Sequence, residues 1–135
     1  MSPSVRQIVT GGMPWSERYT YVPGLRVGNL LFLSGATGTD ERNQIVDPND
    51  IAAQTRAIFR KFERILNEVG ATCADIVETT DYITTTENYS ATAGVRREFF
   101  KGQFPTSTGV IVAGLLREGA LIEISAVAVI PEQAK

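Results

Sequence analysis

The run from Gly119 to Ile130, Gly-Ala-Leu-Ile-Glu-Ile-Ser-Ala-Val-Ala-Val-Ile, constrains the fold of this chain more than any other stretch. Successive side chains of a strand point to opposite faces. Ile122, Ile124, Ala126, Ala128 and Ile130 therefore form one wholly apolar face, and Leu121, Glu123, Ser125, Val127 and Val129 form the other. A strand built this way belongs inside a sheet, with its even-numbered face against a hydrophobic layer. The odd-numbered face sets a carboxylate and a hydroxyl among apolar groups. An acid there is either solvated or ion-paired at an edge, which is the commoner case, or enclosed in a cleft where desolvation fits it for proton transfer.

The layer that covers the apolar face is legible upstream. Ile51, Ile58, Phe59, Phe62, Ile65, Leu66 and Val69 fall on one stripe at a period of 3.6, and the pattern stops at Gly70, so a helix is predicted there. The polar stretch Thr39 to Asp50 reads as a loop whose Asp47-Pro48-Asn49-Asp50 end caps it. A second helix is predicted from about Asn88 to Lys101, ending at Gly102. Thr92, Val95, Phe99 and Phe100 share an arc on it, and Arg96 falls inside that arc. Either the stem of Arg96 lies over the core with its guanidinium in water, or the cation is aimed at a ligand or a neighbouring subunit.

Strands are predicted near Val5–Val9, through Gly24 to Gly35 as a hairpin entering a buried strand, over Asp75 to Thr85, and over the apolar run Thr106 to Ala113. In the third of these Ile76, Thr80, Tyr82 and Thr84 are expected on one face. Trp15, Tyr19 and Tyr21 are many aromatics for the irregular connection that Gly11-Gly12 and Met13-Pro14 punctuate. The order β-β-β-α-β-α-β-β implies an α+β sandwich with two helices on one face of a mixed sheet. The other face, carrying Glu123, is then uncovered in a single chain, and an exposed apolar sheet face predicts self-association.

Composition narrows the chemistry. The 135 residues suit one domain, read as 1–135, and are too few for two. A net charge of -2 offers no basic surface for nucleic acid, and no run approaches the roughly twenty apolar residues of a membrane span, so neither partner is expected. The first residues lack the basic-then-apolar pattern of a secretion signal, and a cytoplasmic protein is expected. Cys73 is the only cysteine and histidine is absent, which removes an internal disulfide, a zinc site and a histidine-based triad. Cys73 then reads as a passive small residue, and the glycine pairs as turn residues without a phosphate-loop context. Catalysis would have to use carboxylates, hydroxyls, backbone groups or arginine.

Several stretches together resemble the Rid family, also called YjgF/YER057c/UK114. They are Tyr21-Val-Pro-Gly24, Gly28-Asn29 through Leu33-Ser34-Gly35, Ala53-Gln54-Thr55-Arg56, Asp75-Ile-Val-Glu-Thr-Thr80, Phe99-Phe100, Phe104-Pro105 and Ile122-Glu-Ile124 with Ala126. The resemblance implies a chorismate-mutase-like fold assembled as a homotrimer around a central barrel, with ligand clefts between subunits. It also implies hydrolytic deamination of reactive enamines or imines, such as 2-aminoacrylate, with no cofactor and no metal. Glu123 and Tyr21 match the family pattern, and Ser34 and Gly35 lie in a matching stretch. The arginine that holds the substrate carboxylate in many members is Ser107 here, the cysteine two residues on is Gly109, and an asparagine on the second helix is Ala93. Loss of that bidentate contact removes roughly 1.5–3 kcal/mol of charge-assisted hydrogen bonding. Serine, glycine and alanine in place of arginine, cysteine and asparagine also enlarge the cleft, which suits a bulkier or less anionic substrate, and family members that lack the arginine include 2-aminomuconate deaminases.

Three functional readings follow. In the first, an enamine or imine is deaminated in an inter-subunit cleft, with Glu123 activating water. Ser107, Thr108 and the backbone at Gly109 orient water or substrate, Tyr21 covers one side, and Arg96 replaces the missing anion anchor, with Arg97 and Arg18 behind it. In the second, a chaperone-like or metabolite-binding trimer holds a small molecule without turning it over. The third is an endoribonuclease, against which stand the acidic balance and the absence of histidine.

Overall fold

The structure is a computed structural model that describes residues 5–132. Strands β1 (Arg6–Ile8), β2 (Gly24–Val27) and β3 (Leu30–Thr37) precede helix α1 (Ile51–Glu68); β4 (Ile76–Ile83), α2 (Thr92–Phe100), β5 (Thr106–Ile111) and β6 (Ile122–Val129) follow. They form one six-stranded sheet in the order β1-β2-β3-β6-β4-β5. β4 and β5 run parallel and every other pair is antiparallel. This is the expected α+β arrangement, with both helices on one face of a mixed sheet.

The last strand takes the central place its pattern demanded. β6 lies between β3 and β4. Ile122, Ile124, Ala126, Ala128 and Ile130 are all buried, packing with Leu31 and Leu33 of β3 and with Ile58, Phe59, Phe62 and Leu66 of α1. Helix α1 starts where Asp50 Oδ1 accepts from the Ala53 amide, and it ends in a Schellman arrangement. There the Gly70 amide donates to Asn67 and the Ala71 amide to Leu66, and Gly70 has a φ of 78° that favours glycine. Buried Gln54 then ties the helix to the start of β6: its Nε2 donates to the carbonyls of Asp47 and Gly119, and its Oε1 accepts from the Leu121 amide.

One expectation is corrected by a backbone irregularity. In β4 the register shifts between Ile76 and Glu78, so the strand changes phase: Ile76 faces the core, and after the bulge Thr79, Asp81 and Ile83 do. Thr80 and Tyr82 therefore turn to the opposite face, away from Ile76. An extra residue in one strand of a pair inverts the alternation beyond it, and nothing in the residue types announces where. β5 is an edge strand exposed along its whole length. Before α2, Tyr89–Ala91 form a 3₁₀ turn, and the α-helix proper begins at Thr92.

Arg96 does lie within the core-facing arc of α2, and its guanidinium turns inward to a buried acid rather than out to solvent. Its Nη2 lies 2.5 Å from Oδ2 of Asp81, whose side chain is wholly buried. The same oxygen accepts from the Tyr89 hydroxyl at 2.5 Å. The guanidinium also lies 5.9 Å from the ring centre of Phe59 and 5.8 Å from that of Tyr89. Burial, then the bond to Asp81, pushes the Tyr89 phenol up to about 12. The pair welds α2 to β4 at a point where both would otherwise be apolar. Removing one partner leaves the other charge buried and alone, which costs more than removing both. Arg96→Met is expected to lower the unfolding free energy by roughly 3–5 kcal/mol. Asp81→Val combined with Arg96→Met should recover most of that loss, and urea unfolding of the single and double variants measures both values.

Candidate functional site

The register of the sheet decides which of the expected site residues can meet. Thr37, Glu123, Tyr82 and Val110 lie side by side across β3, β6, β4 and β5, and so share one face. The row Ser125–Thr80–Thr108 lies on that same face. Residues one position away point to the helices: Ile124, Asp81 and Gly109 form such a row, and Ser107 pairs with buried Thr79. Glu123 and Thr108 are thus on the open face, whereas Ser107, Gly109 and Arg96 are on the helix face. The sheet separates them within one chain.

Each group lines its own recess. On the open face, Glu123 borders a recess of about 290 Å³ with Gly35, Tyr82, Ser125, Val112, Gly114, Leu115 and Leu116. Its carboxylate is half-buried and makes no hydrogen bond or ion pair among the described residues. Gly35 is what makes room for it. A Cβ added at Gly35 would lie 2.3 Å from Glu123 Oε2, so the acid rests directly on the glycine backbone. Gly35 sits in a β3 bulge between Leu33 and Ala36. Ser34, in the same bulge, donates from Oγ to the Val22 carbonyl at 2.5 Å, and its amide bonds Pro23. Its hydroxyl fastens the chain that follows Tyr21, and it is Gly35 that borders the recess.

On the helix face, α2 and β5 enclose a second recess of about 310 Å³. Thr79, Ala93, Arg96, Arg97, Phe100, Phe104, Pro105 and Ser107 line it. Ser107 and Ala93 both line this space, so two of the three positions that depart from the family pattern lie together. Gly109 is nearby, with the Tyr89 hydroxyl 3.6 Å from where its Cβ would be. Tyr21 lines neither recess. It packs with Trp15 and Tyr19, ring centres 4.8 to 5.5 Å apart, and its carbonyl accepts from the indole Nε1 of Trp15. Arg18 is exposed and lines neither recess.

Sequence reasoning missed Asp81 and Lys61. Asp81 was findable, since an acid in a strand and a base on an apolar helix arc are complementary anomalies. Lys61 carries no such signal. Its Nζ donates to the Thr37 carbonyl at 2.6 Å and to Thr39 Oγ1, beside the strand pair that carries Glu123. Burial, and then the charge of Arg117, lower its pKa from 10.5 to about 8. Cys73 is buried, and its thiol is pushed up by desolvation and by Glu63, in keeping with a passive role. No cluster suited to a metal ion occurs among the described residues, and no helix among them is long and apolar enough to cross a membrane.

This chain belongs to the Rid (YjgF/YER057c/UK114) family, whose family model, described as Endoribonuclease L-PSP, matches residues 15–130. A YjgF/YER057c/UK114 member from Mycobacterium tuberculosis is 32% identical with a TM-score of 0.78, over 93% of this chain and 100% of that one. A conserved Rid protein of unknown function from Yersinia pestis is 29% identical with a TM-score of 0.83, over 93% and 100%. RidA from an Antarctic Psychrobacter is 25% identical with a TM-score of 0.81, over 92% and 99%.

Two glycines give opposite expectations for the same substitution. At Gly35 the obstacle is the mobile end of Glu123, so Gly35→Ala should shift stability by less than about 1 kcal/mol while displacing the carboxylate. At Gly38 an added Cβ meets the α1 backbone, 2.5 Å from Gln54 Cα, and Gly38→Ala should destabilise severely. Thermal unfolding of both variants separates the cases. For Lys61, the unfolded chain binds more protons than the folded one between pH 8 and 10.5. Lys61 therefore makes stability rise with pH across that window. Denaturation midpoints from pH 7.5 upward should show that rise in the wild type relative to Lys61→Met.

Proposed function

We propose that this protein hydrolyses the C=N bond of an enamine or imine larger than 2-aminoacrylate, in clefts between the subunits of a homotrimer. The observation that carries the reading is Glu123, an unpaired carboxylate seated on Gly35 in a recess otherwise bordered mainly by apolar groups. Such an acid can take a proton from water and return it. Water adds to the carbon of the protonated C=N bond while Glu123 accepts one of its protons, giving a neutral carbinolamine. The carboxyl then returns that proton to nitrogen as the C–N bond breaks, and the carbinolamine hydroxyl passes its proton to the freed carboxylate as the carbonyl forms. The products are an oxo compound and ammonia. An enamine enters the same path by protonation at carbon to its imine.

Assembly is part of the proposal because one chain holds only half of each cleft. The sheet stands between Glu123 and the α2–β5 recess, so the two can meet only across subunits. Leu30, Phe32, Val110 and Val129 are exposed on the open face, and Leu116 projects fully from the loop beside Glu123. A second copy that covers this surface would bring its own α2–β5 recess to the first copy's Glu123. An endoribonuclease activity, named in the family description, fits less well. A phosphodiester set against Glu123 would meet a carboxylate, in a chain with no histidine and a net charge of -2.

Ammonia release is the deciding measurement, with 2-aminoacrylate generated in situ, larger 2-imino acids and 2-aminomuconate as substrates. Turnover of a larger substrate is expected, falling at least about a hundredfold in Glu123→Gln. Full activity in that variant would overturn the mechanism. Saturable binding without ammonia release from any of these would favour the metabolite-binding trimer.

A further inference from the structure

Lys61 projects from α1 into a small polar cluster at the end of β3. Its Nζ donates to the Thr37 carbonyl at 2.6 Å and to the hydroxyl of Thr39, a residue that is itself buried. No carboxylate pairs with it among the described residues. An ammonium carries three protons and a neutral amine two, so two acceptors match the neutral amine and leave its lone pair free. A second cation grips the same hairpin, which Thr39 and Ile45 close as a bridge. Arg117 donates from Nη1 and Nη2 to the carbonyl and Oδ1 of Asn43, at 2.9 and 3.0 Å. Asp40 is engaged elsewhere, its Oδ1 accepting from the amides of Arg42 and Gln44. Burial and then the charge of Arg117 bring Lys61 down to about 8, and Asp40 opposes them more weakly. At neutral pH such a drop raises the uncharged fraction of a lysine on the order of a hundredfold.

We infer that Lys61 is a site of reversible carbamate formation with carbon dioxide. The amine lone pair attacks the carbon of carbon dioxide, an N–C bond forms as one C–O π bond breaks, and the proton released from nitrogen goes to solvent. The remaining N–H still has the Thr37 carbonyl as acceptor, and the Thr39 hydroxyl turns to donate to a carbamate oxygen. Arg117 then faces an anion in place of a cation. The charge that disfavours the ammonium is the one that favours the carbamate. Lys61 is half-buried, which admits a small uncharged electrophile more readily than a bulky acyl donor. The modification falls beside Thr37, which pairs with Glu123 across β3 and β6, and it does not depend on the deaminase reading.

Carbon NMR of the protein in isotope-labelled bicarbonate, at a pH near 8, should show a carbamate resonance that Lys61→Arg removes and Lys101→Arg leaves in place. Arg117→Gln and Thr39→Val should each lower its intensity at least about threefold, whereas Arg117→Lys should preserve it. Alkylation of the carbamate with triethyloxonium, followed by peptide mapping of the wild type, should place the ester on Lys61. The mapping needs no variant, so the test stands even where a substitution prevents folding. A resonance unchanged in Lys61→Arg, or an ester found only on other amines of the chain, overturns the inference. No resonance in saturating bicarbonate overturns it as well, and so does an intensity indifferent to both Arg117→Gln and Thr39→Val.

Discussion

The arrangement of this molecule follows from the one-sided covering of its sheet. Two helices bury one face, and β6 lies in the middle with its five even-numbered apolar residues sealed beneath α1. That burial is the main source of hydrophobic stabilisation and holds the central strand in a single register, since a slip of one residue would send the apolar face outward and Glu123 into the core. The position of the acid is therefore a consequence of the packing on the opposite side of the same strand. Gln54, bonded to Asp47, Gly119 and Leu121, reinforces that register from α1.

The same covering divides the functional groups. Any residue on a strand belongs to the helix side or to the open side, and the parity of β4 is set by the bulge after Ile76. Beyond that bulge Asp81 turns inward to meet Arg96, and Tyr82 turns outward beside Glu123. A single displaced residue thus supplies both a buried ion pair and a wall of the open recess. The pair holds α2 against β4, and with it the recess that α2 shares with β5.

Much of this was legible in the sequence. The element order, both helices, the core face of β6 and the inward placement of Arg96 follow from period and residue type, because burial imposes those periods. Glu123 stood out for the same reason, as a charge in an apolar strand. The phase of β4 was not legible, because a bulge depends on how two distant strands twist together. The partner of Arg96 was not read from the sequence: only the arginine stood out as a misplaced charge, and the packing of α2 on β4 is what brought Asp81 to it. The role of Gly35 beneath Glu123 had no local signal beyond a glycine in a strand, which is equally consistent with a plain turn.

By itself, then, the sequence determined the fold class, the buried face of the central strand and the presence of one anomalous carboxylate. These depend on alternation and on the cost of exposing apolar surface, which any chain of this pattern must obey. Only the tertiary structure decided which residues share a face. It put Ser107, Gly109 and Ala93 with Arg97 on one side of the sheet and Glu123, Thr108 and Gly35 on the other. The reason is geometric: a bulge and a strand register, set by contacts between segments remote in sequence, determine where side chains point, and residue types alone do not record them.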